Sequence, residues 1–244
     1  MILLGPDTIQ IKKTANKGRG MFTKTDLKGG TIIGDYIGKV VRTRDSVTNE
    51  DDIGLYLMYY HDQASIYPND LKGNGMHLIN HSCTPNSWMY TYQGHTLFFT
   101  LRHIFPGEEL TVSYLLSPDP YCDPCPHICN CKSPYCTGTM HLSTEKYQQW
   151  SRFRAIQATQ TKRARIRYNQ TLPILNSYPE TIPDDPIYPL FGSFDKPSIQ
   201  MNTKLESVQK LRKLIRETGQ SIEFSKSNIR VLGALDGQII SQPL

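Results

Sequence analysis

Cys129, Cys131 and Cys136 form a C-x-C-x4-C run, a spacing that lets three thiolates wrap one Zn2+. Structural zinc takes four ligands in a tetrahedron, so one ligand must come from elsewhere. Cys83, which stands alone outside the segment from Cys122 to Cys136, is the obvious candidate, and Cys122, Cys125 and His127 compete with it. Unmetallated thiols are the plainer alternative, but three cysteines within eight residues argue for a metal rather than a secreted disulfide framework.

Three further motifs carry polar chemistry. KGRGMF, Lys17 to Phe22, places Gly18 and Gly20 around Arg19, so the backbone can approach a ligand and present its N–H groups; taken alone it reads as a hairpin turn with a basic tip. LINHSCTPN, Leu78 to Asn86, sets Asn80 and His81 beside a thiol, and Pro85 drives Thr84 away from helix, which makes a shaped loop or simply a satisfied polar turn. RHIFPGEELTVSYL, Arg102 to Leu115, reads as a turn at PGEEL followed by a strand ending in Tyr114.

The elements that must position these residues are short. TIQIKK, GMFTK, TIIGDYIGKVV, LYLMYY, HTLFFTLRHI and ELTVSYL are apolar runs bounded by Gly, Asn and Pro, the pattern of a mostly β domain. The period changes after residue 140: Tyr147, Trp150, Phe153 and Ile156 recur every third residue behind the cap-like Ser143 and Thr144, which predicts an amphipathic helix. Six prolines between Pro173 and Pro197 predict an extended connector or surface arm over about 172–197, and Leu205, Val208, Leu211 and Ile215 predict a second helix.

Charge divides the 244 residues at the same place. Residues 1–141 hold 12 Lys or Arg against 13 Asp or Glu, and residues 142–244 hold 15 against 9, so the net charge of +5 belongs to the C-terminal segment. The opening MILLGPD lacks a cationic lead and a long apolar run, and no stretch approaches the roughly 18 apolar residues of a membrane span. The expectation is an intracellular protein in a reducing compartment, neither secreted nor membrane-bound.

The ordered set KGRGMF, GDYIGKV, LINHSCTPN and PGEELTVSY, closed by C-x-C-x4-C, resembles the SET-domain protein lysine methyltransferases with a post-SET zinc loop. The resemblance covers roughly residues 8–141. It implies a mainly β fold of several small sheets with a knot-like C-terminal threading over residues 8–116, and a post-SET zinc loop over 117–141. A basic, largely α-helical extension over 142–244 lies outside it.

By position, the resemblance implies S-adenosylmethionine bound by Lys17, Gly18, Arg19, Gly20, Tyr56, Asn80 and His81, with Tyr114 catalytic. Tyr36, Phe99 and Val112 would line the substrate channel. Cys83 would join Cys129, Cys131 and Cys136 on one structural zinc, leaving Cys122 and Cys125 as spare thiols or an alternative ligand pair. Ser113 stands where the family usually has Asp. Val112, where many members carry Phe or Tyr, leaves room for more than one methyl group.

The implied activity is methyl transfer from S-adenosylmethionine to a lysine of histone or another basic chromosomal protein, with action in the nucleus. Two alternatives compete: a catalytically weak module serving as a chromatin adaptor, and an enzyme for a ribosomal or metabolic protein. The basic residues from Lys146 to Arg167, interleaved with aromatics, also fit a nucleosome or DNA contact, although packing of the helix on the domain explains the aromatic face more simply.

Overall fold

The computed structural model describes residues 1–42, 55–61, 63–160, 168–182, 198–201, 221–224 and 229–232. The apolar runs predicted as strands are strands, and they assemble into small sheets. β1 (Ile9–Lys13) and β2 (Arg19–Thr23) form an antiparallel hairpin with Lys13 opposite Arg19, so the turn between them carries KGR at its tip. β3 (Ile32–Asp35) pairs with β9 (His95–Thr100), which pairs in turn with β8 (Ser87–Tyr92), both antiparallel. β4 (Lys39–Arg42), β6 (Ala64–Tyr67) and β5 (Met58–His61) make a second three-stranded sheet in the order β4-β6-β5.

The shortest sheet matters most for the site. β7 (Asn80–His81) and β10 (Thr111–Val112) run parallel, with Thr111 opposite Asn80 and Val112 opposite His81. A parallel pair needs a long crossover. Here the β8-β9 hairpin and the PGEEL turn supply it, and they return the chain beside the NHSC stretch.

β9 is buried along its whole length because apolar side chains cover both of its faces. Phe98 packs with Ile33, Tyr36, Tyr60, Ile66, Leu110 and Val112, whereas Leu97 and Phe99 pack on the opposite side with Ile32, Trp88, Leu142 and Ile182. This is the period-two alternation of a strand buried on both sides.

The predicted first helix is α1 (Thr144–Gln160). Ser143 caps it: its Oγ accepts from Lys146 N at 3.3 Å, satisfying one of the orphan amides of the first turn. Tyr147 and Trp150 dock the helix on the second core, with Trp150 edge-on to Trp88 at 6.0 Å. The first two aromatic residues of this face, Tyr147 and Trp150, therefore pack on the domain.

The start of the proline-rich stretch lies on the domain as a fastened arm. Asn169 N donates to Val40 O, Val40 N to Gln170 O and Leu172 N to Gly38 O, while Ile32 N donates to Glu180 O and Ile182 N to Gly30 O. Tyr178 OH donates to the buried Asp35 Oδ2 at 2.9 Å, and His95 Nδ1 meets the same oxygen at 2.7 Å. Farther on, β11 (Ser198–Met201), β12 (Ser221–Phe224) and β13 (Ile229–Leu232) form an antiparallel sheet in the order β11-β13-β12. The expected helical extension contained no such sheet, so the described part of the extension is mixed, one helix followed by strands. The predicted helix around Leu205 to Ile215 and the prolines beyond Ile182 lie outside the described residues.

Candidate functional site

The glycine-rich turn is built by Thr14 and Gly18. Thr14 N and Oγ1 both donate to Gly18 O, and Lys17 N donates to Thr14 Oγ1. Gly18 holds φ at +72°, in the left-handed region that favours glycine. A Cβ on Gly20 would stand 2.8 Å from Asn80 Nδ2, Glu109 Oε1 and Thr14 Cγ2, so a bare backbone is what lets β2 lie against the NHSC loop.

Asn80 joins three segments of the chain. Its Nδ2 donates to Arg19 O at 3.1 Å and to Glu109 Oε1 at 2.8 Å, and Lys17 Nζ pairs with Glu109 Oε2 at 2.5 Å. Arg19 turns outward from this cluster, donating to the carbonyls of Leu71 and Lys72.

His81 is buried and joins two further parts. Its Nδ1 accepts from Tyr114 N at 3.1 Å, which places the ring proton on Nε2, 3.7 Å from Cys83 Sγ. Burial pushes its pKa down to about 4; the thiolate of Cys131 opposes that shift and Lys17 adds to it. The imidazole is neutral at pH 7. The Tyr114 ring stands edge-on to His81 at 5.3 Å, and Tyr114 OH donates to Ile79 O at 3.1 Å.

Two of the three expected channel residues stand near Tyr114 and one does not. Val112 and Tyr36 share the first core, against which Tyr114 packs. Phe99 is on the other side of β9, in the second core, and strand alternation makes Phe98 the partner of Tyr36, stacked at 6.1 Å between centroids. Tyr36 OH donates to Tyr56 O at 2.7 Å, and the Tyr56 ring stands edge-on to His77 at 5.9 Å. A cavity of about 330 Å3 opens beside Tyr36, lined also by Ile37, Asp70, Gly75, Met76 and His77. Neither Asn80 nor His81 borders it.

The three cysteines singled out by spacing converge with Cys83. The sulfurs of Cys83, Cys129, Cys131 and Cys136 all lie within 4.8 Å of one another, with Cys83 and Cys129 at 3.6 Å. A tetrahedron with bonds of about 2.3 Å has edges of about 3.8 Å, so this donor set fits Zn2+. Cys131 is held down to about 3, chiefly by a hydrogen bond from the Cys83 thiol, while Cys83 is pushed up by sharing that bond and by burial. Burial pushes Cys129 up to about 12. Cys122 and Cys125 stand apart from this group, their sulfurs adjacent to each other and their Cα atoms 4.6 Å apart.

Asn86 and Glu109 were not picked out by type or spacing, although both sit inside quoted motifs. Asn86 Oδ1 accepts from Thr111 N at 2.9 Å and its Nδ2 donates to Glu109 O at 2.8 Å, which fixes β10 beside the NHSC loop. Pro85-Asn86 after a thiol and the second Glu of PGEEL were the available signals.

Residues 18–115 match the family model described as SET domain. Histone-lysine N-methyltransferase 2B of Homo sapiens is 31% identical over 139 residues, which is 53% of this chain and 5% of that protein. The histone-lysine N-methyltransferase, H3 lysine-36 specific, of Mus musculus is 32% identical over 146 residues, covering 54% of this chain and 5% of its own length. A variant-silencing SET domain-containing protein of Plasmodium falciparum is 34% identical over 120 residues, covering 43% and 5%. The chain thus spans about a twentieth of the length of these relatives. Among solved structures, KRYPTONITE in complex with mCHG DNA and SAH has a TM-score of 0.46 at 25% identity, covering 55% of this chain and 29% of that one. No described helix is long and apolar enough to cross a membrane. The residues that match the SET-domain model thus include the glycine turn, the NHSC loop and the Tyr114 strand, the segments that the β7-β10 pair and Asn80 bring together.

Proposed function

We propose that the chain is an S-adenosylmethionine-dependent protein-lysine N-methyltransferase acting on histone or another basic chromosomal protein in the nucleus. The observation that carries this reading is the parallel pairing of β7 with β10, which sets Tyr114 beside His81 while Asn80 bonds to the glycine turn. The histone-lysine methyltransferases that it resembles supply the substrate class.

The residues present fit the cofactor. Gly18 and Gly20 leave main chain bare beside Asn80, and Lys17 and Glu109 offer opposite charges to an amino-acid zwitterion. When bound, S-adenosylmethionine supplies an electrophilic methyl group on a sulfonium. Lys17, Gly18, Arg19, Gly20, Tyr56, Asn80 and His81 are assigned to hold it.

A free lysine has a pKa of about 10.4, so few amines are neutral at pH 7. Desolvation among Tyr36, Phe98 and Val112 favours the neutral form, and the proton can leave to water. Tyr114, with its own proton given to Ile79 O, is oriented as an acceptor for an amine N–H and so aligns the nitrogen. No strong base is required. Aromatic walls also favour a cationic methylammonium by cation–π attraction.

Cys83, Cys129, Cys131 and Cys136 are assigned to one structural zinc, which fastens residues 117–141 to the domain of residues 8–116 and completes the substrate side. Residues 142–244 make the third part, with exposed Arg152 available for nucleosome contact.

The test is transfer of a labelled methyl group to a panel of histones and unrelated basic proteins, with the modified lysine mapped by mass. Label on a histone lysine that falls at least about 100-fold in Tyr114→Phe supports the reading. Cofactor binding without transfer to any protein supports an adaptor instead, and transfer to a non-histone protein alone redirects the substrate.

A further inference from the structure

The adjacent Cys122 and Cys125 are half of a second cluster. The ligand atoms of Cys122, Cys125, His127 and His141 all lie within 4.8 Å of one another. Cys125 Sγ stands 3.4 Å from His141 Nε2 and 3.8 Å from His127 Nδ1. Zinc bonds of about 2.0–2.3 Å place tetrahedral ligand atoms about 3.3–3.8 Å apart, which matches both distances. We propose that Cys122, Cys125, His127 and His141 bind a second Zn2+, distinct from the four-cysteine site.

The hydrogen bonding of His141 points to a ligand. Its Nδ1 lies 2.5 Å from Ser117 O. A carbonyl only accepts, so Nδ1 carries the proton and Nε2 presents its lone pair toward Cys125. A backbone carbonyl behind one ring nitrogen, with the other aimed at the metal, is how zinc-binding histidines are oriented. The chain brings the two rings together from positions 14 residues apart, edge to face at 5.0 Å between centroids. A disulfide between Cys122 and Cys125 closes a ring of a few residues and gives the histidines no reason to converge on it. A metal uses all four groups.

The two sites share one short ribbon. Ile128 bridges Thr139, with Cys129 N donating to Gly138 O and Met140 N to His127 O. His127 and Cys129 therefore lie on either side of Ile128 and serve different clusters, and Cys136 and His141 do the same on the return leg. His141 also bridges Leu116, two residues beyond Tyr114, so the second zinc fastens the end of the Tyr114 strand to the ribbon. Binding requires Cys122 and Cys125 as thiols, the form in which the chain is synthesised, and releases their two protons to solvent.

The experiment is zinc content of the whole chain purified under reducing conditions. About two equivalents per chain are expected, falling to about one in His141→Asn and staying near two in His141→Cys, where the thiolate replaces the imidazole. Cobalt in place of zinc gives the second readout: thiolate-to-cobalt absorption falls in His141→Asn by the share of two thiolates, while the four-cysteine contribution stays. One equivalent in both the wild type and His141→Asn overturns the proposal. So does finding Cys122 and Cys125 resistant to alkylation after chelation until a reductant is added, because that pair is then a disulfide. Neither outcome bears on methyl transfer, so the two proposals fail separately.

Discussion

The backbone amide of Tyr114 donates to His81 Nδ1 at 3.1 Å, and the other nitrogen of that ring faces Cys83 Sγ at 3.7 Å. One imidazole thus connects the proposed catalytic tyrosine to the four-cysteine cluster. If a metal were to hold Cys83 as a thiolate, the sulfur would accept a hydrogen bond from Nε2–H, and the metal would then also hold the ring that holds the strand.

Removing metal should therefore be felt at the tyrosine. Stripping zinc with a chelator, or Cys131→Ser, is expected to raise amide exchange both in residues 117–141 and at Tyr114 itself, and to abolish labelled transfer. Faster exchange in the ribbon with Tyr114 unchanged would show that His81 does not transmit the loss.

Glu108 and Arg102 form an ion pair with side chains 2% and 5% exposed, and Glu108 Oε1 also accepts from Phe105 N at 2.9 Å. Glu108→Ala leaves a buried guanidinium unmatched, so a loss of about 3–5 kcal/mol in urea unfolding is expected. Arg102→Met together with Glu108→Leu should recover much of it. The paired change tells charge imbalance from lost shape.

Gly20→Ala pushes a methyl group into Asn80 and Glu109. The expected result is a fall of roughly 10-fold or more in S-adenosylmethionine affinity by calorimetry, at a stability cost of about 1–3 kcal/mol. Unchanged affinity would place the cofactor away from this turn.

His77 is half-buried with its Nε2 atom buried and unpartnered, and burial is the largest cause of its lowered pKa. A depressed value means that the unfolded chain takes up the proton first. Stability from this residue is fully present above the ordinary histidine range of about 6.5 and is lost as pH falls through that range toward the folded value. His77→Leu is expected to flatten the decline in Tm between about pH 7.5 and pH 5. A parallel decline in both proteins would count against it.

Tyr178→Phe removes one donor from buried Asp35. A loss of about 1–2 kcal/mol is expected, with faster amide exchange at Ile32 and Ile182, whose N–H groups pair across the arm. If those amides exchange as before, the arm is held by its backbone ladder and by Leu172 alone.

Local signals were legible where one chemical constraint acts on a short segment. C-x-C-x4-C indicated a metal and one missing ligand, and Tyr147 with Trp150 behind Ser143 indicated a capped, docked helix. Which phenylalanine meets Tyr36 was not legible because Phe98 and Phe99 are equally apolar, and only the register of β9 against β3 decides it. The stretch was read as an extended connector or a surface arm, with the choice left open, since nothing in NQTLPILNSYPETI announces pairing with residues more than a hundred positions earlier. His141 went unremarked as a ligand for the same reason: its partner carbonyl at Ser117 and the thiol at Cys125 meet it only through the fold.

That late-arriving arm bears on how the protein is made. Gly38 and Val40 at one edge, and Gly30 and Ile32 at another, have their backbone partners between Asn169 and Ile182. Contacts of such sequence separation form slowly and cannot form before their far partner exists. On the ribosome, the SET segment is emitted whole while two of its edges still await strands that have yet to be translated. Completion of the domain is timed to residue 182, and until then those edges are open to any other extended chain.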